Sequence, residues 1–94
     1  MNAKINQIII DCLKAYDPRE IGVFGSYTRG EMNNDSDIDI LYSLDKKISL
    51  FDIVQIKLDL EEKLNRKIDF ISKKGLKEWI TPYVMKDLKV IYEK

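Results

Sequence analysis

Residues 21–43 read IGVFGSYTRGEMNNDSDIDILYS, and the fold turns on how this stretch is parsed. Ile21 to Phe24 is a β-prone run that stops at Gly25, which suits a strand of about four or five residues. Ser26 then stands where a helix N-cap belongs, ahead of a short polar helical turn over Tyr27–Glu31. Gly30 and the cluster Asn33-Asn34-Asp35 read as loop. From Ser36 to Ser43 polar and apolar residues alternate through Asp37, Ile38, Asp39 and Ile40, the period of a strand with two distinct faces.

The flanks extend the pattern. Before it, residues 4–16 place Ile5, Ile8, Ile9, Cys12, Leu13 and Tyr16 at helical spacing, and Pro18 ends the run. After it, Asp45-Lys46-Lys47 is a turn, and Ser49 with Asp52 forms an acidic variant of the capping box. The helix that follows runs to about Leu64, with Ile53, Ile56, Leu60 and Leu64 on one stripe. Lys67–Ser72 (KIDFIS) alternates as a strand. Residues 75–87 read as a helix interrupted near Pro82, and Val90–Tyr92 as a last short strand. Helices and strands therefore alternate along the chain, the order of an α/β (α+β) domain in which a small sheet is covered by helices.

Composition limits the chemistry. Ninety-four residues make one domain, 1–94, and 45% apolar with 34% charged residues is the composition of a soluble globular chain. Sixteen basic and sixteen acidic residues cancel, so no long-range field captures nucleic acid and no direct nucleic-acid partner is expected. The absence of histidine excludes His-based nucleophile activation and the usual zinc sites. Cys12 is the single cysteine; with no leader-like segment at the start, a reducing cytoplasm is expected. No apolar run approaches the roughly 20 residues of a membrane span.

Three features converge on phosphate and metal chemistry. Gly25-Ser26 sits at a strand-to-helix turn, where glycine lets a phosphate approach the backbone and the free N–H groups of the next turn favour an anion. Taken alone, such a pair is a turn and nothing more. Asp37 and Asp39, two apart on a strand, project to one face while Ile38 and Ile40 face the core. Adjacent anions repel unless a cation lies between them, and oxygen-only ligands select a hard ion such as Mg²⁺. A lone Asp-x-Asp is more often an exposed strand face, yet aspartate is depleted in strands. Asp69 sits mid-strand in Lys67–Ile71; if that strand pairs beside residues 36–43, it joins the other two as a third carboxylate or a general base. A surface carboxylate is the equal alternative for Asp69. Two look-alikes fail: Ile40 and Lys46 spoil a calcium loop beginning at Asp35, and Glu31 replaces the lysine of a P-loop beginning at Gly25.

Gly25-Ser26, ten intervening residues, then Asp37-x-Asp39 resembles the signature of the DNA polymerase beta-type nucleotidyltransferase superfamily. Phe24–Glu31 (FGSYTRGE), Ser36–Leu41 (SDIDIL) and Lys67–Ile71 (KIDFI) are similar to its minimal nucleotidyltransferase (MNT) branch, over essentially the whole chain. Thr28 replaces an alanine common there. The resemblance implies a small mixed sheet of about three or four strands covered by helices. It also implies Gly25 and Ser26 holding the phosphates of ATP as nucleotide donor, and Asp37, Asp39 and Asp69 as the catalytic, metal-binding carboxylates for two Mg²⁺ ions. Arg29 is a candidate phosphate contact or an ordinary surface residue. Tyr27 and Trp79 are candidates for base stacking, with core or interface roles ahead of it.

Larger relatives carry extra domains for the acceptor, and this chain, ending at Lys94, shows none, so the acceptor is expected to be a partner. Stand-alone members of this branch resemble antitoxins encoded beside HEPN-domain RNase toxins, in which AMP is transferred to a toxin tyrosine. Protein AMPylation within such a partner complex is the expected function. Two alternatives stay open: a stoichiometric binding module, docked through Leu76, Trp79, Ile80 and Tyr83, and small-molecule nucleotidyl transfer assisted by a second subunit.

Overall fold

Helix α1, Ala3–Leu13, begins where the Asn2 side chain accepts hydrogen bonds from the N–H groups of Lys4 and Ile5. A 3₁₀ turn over Lys14–Tyr16 follows, and Asp17, at φ 52°, turns the chain into the sheet. The computed structural model describes residues 2–33 and 35–94; of the expected loop Asn33–Asp35, Asn34 lies outside the described residues.

Strand β1, Pro18–Phe24, is longer than its apolar run. Pro18 does end the helix, but it also opens the strand, since at a strand's first position its missing N–H removes little pairing. Helix α2, Ser26–Arg29, leads through the loop to β2, Ile38–Leu44. Helix α3, Leu50–Leu64, has the expected capping box: Asp52 N–H donates to Ser49 Oγ and Ser49 N–H to the Asp52 carboxylate. It ends at Asn65 in the left-handed conformation and leads into β3, Ile68–Ser72. Residues 75–87 are not one interrupted helix. A 3₁₀ turn covers Lys73–Gly75, and α4, Thr81–Asp87, carries Pro82 in its first turn. The proline starts that helix, where its N–H is not needed. Strand β4 is Lys89–Glu93.

The four strands form one mixed sheet in the order β3-β2-β1-β4. β1 pairs antiparallel with β2 and β4, while β2 and β3 run parallel, joined by α3 as the crossover that parallel strands require. Ile9 and Leu13 of α1 and Ile56 and Leu60 of α3 are buried in one cluster with Ile21, Val23, Ile38, Ile40 and Ile68. Tyr42 and Phe70 stack there, ring centroids 4.0 Å apart. Register gives the other face: Gly22 lies opposite Leu41, Phe24 opposite Asp39, and Asp39 opposite Asp69. α4 packs on that second face against β1, and its following residue Leu88 lies where a side chain at position 22 would be. Among the described residues no helix is long and apolar enough to cross a membrane.

Candidate active site

Alternation in β2 and β3 sends isoleucines into the core and leaves Asp39 and Asp69 on the opposite face, level with each other across the parallel pair. Their carboxyls lie within hydrogen-bonding reach. Partial burial pushes Asp39 up to about 7; the hydrogen bond with Asp69 and the charges of Asp69 and Asp37 add to the rise, and Arg29 opposes it. A carboxyl raised this far by burial beside other acids marks a place where a cation would relieve repulsion. β3 is an edge strand, and Asp69 on it is exposed while Asp39 on the inner strand is half-buried.

Asp37 does not share a strand with Asp39. It stands one residue before β2, because the β2–β3 ladder begins with Ile38 N–H donating to Lys67 O. Its charge still reaches Asp39. Among the described residues no group of three acidic or thiol side chains is preassembled around one point; Asp39 and Asp69 are paired, and Asp37 borders them from the loop. That loop is pinned by Arg66, whose Nη1 donates to the carbonyls of Asn33 at 2.6 Å and Ser36 at 3.2 Å. The donor set is all carboxylate oxygen, which fits a hard divalent ion and suits neither a soft metal nor an imidazole-seeking one.

Gly25 closes the other side. Its φ of 74° and ψ of −151° belong to a region essentially reserved for glycine, and a Cβ there would collide with Asp39 Oδ2. The backbone thus lies directly against the carboxylate. Gly25, not Ser26, is the N-cap of α2, and Ser26 is its first residue. Thr28 N–H and Arg29 N–H donate to Gly25 O, and so does the Thr28 hydroxyl at 2.9 Å. The departure from alanine at position 28 therefore secures the turn. The N–H groups of Ser26 and Tyr27 precede these first intrahelical donors, as an anion-binding turn requires.

A cleft of about 310 Å³ opens beside this turn, lined by Phe24, Gly25, Arg29 and Asp39 from the sheet side and by Ile80, Tyr83, Val84, Lys86 and Asp87 from α4 and its approach. Of these, the sequence reading named Ile80 and Tyr83 only as part of a docking face and missed Val84, Lys86 and Asp87; the helical spacing from Tyr83 to Asp87 was the available signal, masked by the expectation of one longer helix. Arg29 lines the cleft but is engaged, its Nε bonded to Glu31 at 3.0 Å and Nη1 to Asp87 at 2.5 Å. Tyr27 is excluded from base stacking: it is buried, its hydroxyl lying 2.6 Å from Asn6 Oδ1 and 3.0 Å from Asn2 O while accepting from Asn2 N–H. Trp79 is exposed and does not line the cleft.

Residues 7–94 match the family described as Polymerase beta, Nucleotidyltransferase. The protein adenylyltransferase MntA of Thermococcus cleftensis is 41% identical over 70 residues, covering 74% of this chain and 71% of that protein. A Methanocaldococcus jannaschii protein named as a protein adenylyltransferase is 38% identical over 69 residues, 73% of this chain and 74% of its own length. In three dimensions, one chain of a toxin–antitoxin crystal structure with AMP-PNP superposes with a TM-score of 0.83 at 21% identity, covering 95% of this chain and 73% of that one. A structure described as a minimal nucleotidyltransferase gives 0.76 at 28% identity, covering 89% and 86%. The paired carboxylates, the glycine turn against them and the family match lead to one assignment: the chain belongs to the polymerase beta nucleotidyltransferase family and is a nucleotidyltransferase.

Proposed function

We propose that this chain is a single minimal nucleotidyltransferase domain that transfers AMP from ATP to a tyrosine hydroxyl of a HEPN-type RNase toxin, acting in the cytoplasm as its antitoxin. The observation that carries the reading is the Asp39–Asp69 pair against the side-chain-free backbone of Gly25. That is an acidic centre with room for a phosphate chain immediately beside it. The choice of a protein acceptor rests on the 41% identical relative being a protein adenylyltransferase. Solved neighbours of the same fold include an MNT antitoxin in complex with a tri-AMPylated HEPN toxin from Shewanella oneidensis, at 19% identity and a TM-score of 0.78.

In this reading Gly25 and Ser26 hold the triphosphate through backbone N–H groups and the Ser26 hydroxyl. Arg29 joins them by exchanging Asp87 for a phosphate oxygen. Asp37, Asp39 and Asp69 would hold two Mg²⁺ ions, which would supply positive charge against the triphosphate and acidify the acceptor hydroxyl. The phenolic oxygen attacks the α-phosphorus, the bond to the bridging oxygen of the β-phosphate breaks, and pyrophosphate leaves. The phenol's proton passes to Asp69, the carboxylate most open to an incoming acceptor. Intact mass spectrometry of the neighbouring-gene product, co-expressed with wild type or with Asp37→Ala/Asp39→Ala, tests the proposal. Whole AMP increments that need the wild type support it; an unmodified partner overturns it.

One observation favours a second reading. Tyr83, which lines the cleft, is 73% exposed, and Trp79, shortly before α4, is 72% exposed, a display suited to stoichiometric contact with a partner. Neutralisation that survives Asp37→Ala/Asp39→Ala would select it. AMP found on a metabolite, with the partner protein unmodified, would select the small-molecule reading instead.

A further inference from the structure

Arg66 lies in the turn between α3 and β3, shortly before Asp69. Its side chain is half-buried and enters no ion pair among the described residues. A guanidinium removed from water ordinarily finds a carboxylate. This one instead directs Nη1 at two backbone carbonyls, Asn33 O at 2.6 Å and Ser36 O at 3.2 Å. Those carbonyls bracket a closed turn. Ser36 N–H donates to Asn33 O, Asn33 N–H donates to Ser36 Oγ, and the Ser36 hydroxyl donates to Asn33 Oδ1. Asp37 is the next residue. Its own backbone joins no hydrogen bond among the described residues, so its place is inherited from its neighbours. On one side Ile38 N–H donates to Lys67 O at 3.0 Å; on the other, Ser36 O is held by Arg66. Both anchors belong to the segment Arg66-Lys67, which is itself fixed where Ile68 N–H donates to the Glu61 carboxylate at 3.1 Å.

We propose that Arg66 is a positioning residue for Asp37: it ties the residue before Asp37 to the start of the strand that carries Asp69, and so keeps Asp37 within reach of a divalent ion at the Asp39–Asp69 pair. The inference rests on reading Asp37, Asp39 and Asp69 as metal ligands. Pairing of β2 with β3 sets Asp39 against Asp69 without help. Asp37 lies outside that ladder, and the tether from Arg66 is what the ladder does not supply. The sign of the effect separates positioning from charge. A cation beside an acidic centre repels a metal ion, so removing a guanidinium that acts by charge alone tightens metal binding. Removing one that holds a ligand in place weakens it, on the order of ten- to a hundredfold for a group that supports a ligand from behind.

Mn²⁺ titrated into the full chain, with the free ion read by electron paramagnetic resonance and a thermal melt of each variant alongside, tests this. Arg66→Met keeps the apolar stem and removes the donors; it is expected to weaken Mn²⁺ binding about tenfold or more. Arg66→Lys, a cation whose ammonium reaches less far, falls between it and wild type. Asp37→Asn weakens binding at least as much as Arg66→Met. Adding Arg66→Met to Asp37→Asn changes little further, because both act through one carboxylate. Should Arg66→Met fail to fold, Arg66→Lys with and without Asp37→Asn decides by the same cycle. Unchanged or tighter Mn²⁺ binding by Arg66→Met overturns the proposal even if its melting temperature falls, and so does a loss that adds in full to that of Asp37→Asn. Either result, with Asp37→Asn still weakening Mn²⁺, leaves the metal reading of Asp37 standing. Mn²⁺ affinity indifferent to Asp37→Asn overturns both together.

Discussion

Asp39 and Asp69 lie level on neighbouring parallel strands, and burial with this proximity raises the Asp39 carboxyl to about 7. The native state therefore binds a proton that the unfolded chain, with an ordinary carboxyl of 3.8, releases between those values. Stability contributed by this site rises as pH falls from about 7 toward 4; above 7 the full penalty of the ionised pair is present. Asp39→Asn is expected to stabilise the metal-free protein at pH 8 by about 1–2 kcal/mol, a figure discounted for the group's partial exposure. Thermal melts at pH 5 and pH 8, with and without Mg²⁺ and ATP, check it: the variant flattens the pH difference and loses the ligand-induced shift.

Gly25→Ala should be the most damaging single-methyl change in the chain. The left-handed φ of 74° and the collision with Asp39 Oδ2 act together, at a cost of about 2–4 kcal/mol. If the fold survives, nucleotidyl transfer should drop far more than stability does, because the methyl occupies the approach to the carboxylate. Comparing melting temperature with turnover separates the two effects.

Arg29 and Asp87 form a contact that a triphosphate would have to replace. Asp87→Asn should lower KM for ATP severalfold and leave kcat within about twofold, since the guanidinium is then held less firmly and remains available to phosphate. Arg29→Ala should raise KM. Unchanged KM in both variants would reduce Arg29 to a surface ion-pair residue.

Tyr27→Phe should cost about 1–2 kcal/mol by leaving Asn2 and Asn6 without their buried partner, while KM for ATP is unaltered. A KM effect without a stability effect would return Tyr27 to the nucleotide pocket.

Much of this was written in short-range pattern. The isoleucines at 38, 40 and 68 declare which way each strand faces, and the Ser49–Asp52 box marks the start of α3. Asp39 and Asp69 were therefore placed on the non-core face before their pairing was known. Asp37 was misplaced by one residue, because alternation continues through Ser36-Asp37 in sequence while pairing with β3 starts only at Ile38. Gly25 displaced Ser26 as the helix cap for a reason no local rule contains: the carboxylate of Asp39 fills the space a side chain would need. Pro82 was read as a break in a helix that in fact begins there, and that shift hid Tyr83, Lys86 and Asp87 from the cleft. Arg66 carried no sequence signal, since its partners are backbone carbonyls some thirty residues back.

The two flanks of the sheet are assembled over very different lengths of chain. β2, α3 and β3 are consecutive, so the strands bearing Asp39 and Asp69 meet by closing one crossover. β4 must return from residues 89–93 to pair with Gly22 and Val23, closing a far longer loop at greater entropic cost. Its side chains are mostly exposed or half-buried, so little apolar burial holds it down. The amides of β4 should therefore exchange with deuterium sooner than those of β2. On this account the acidic centre outlasts fraying at the C-terminal edge, and a protein losing that edge first would still keep its two facing carboxylates in register.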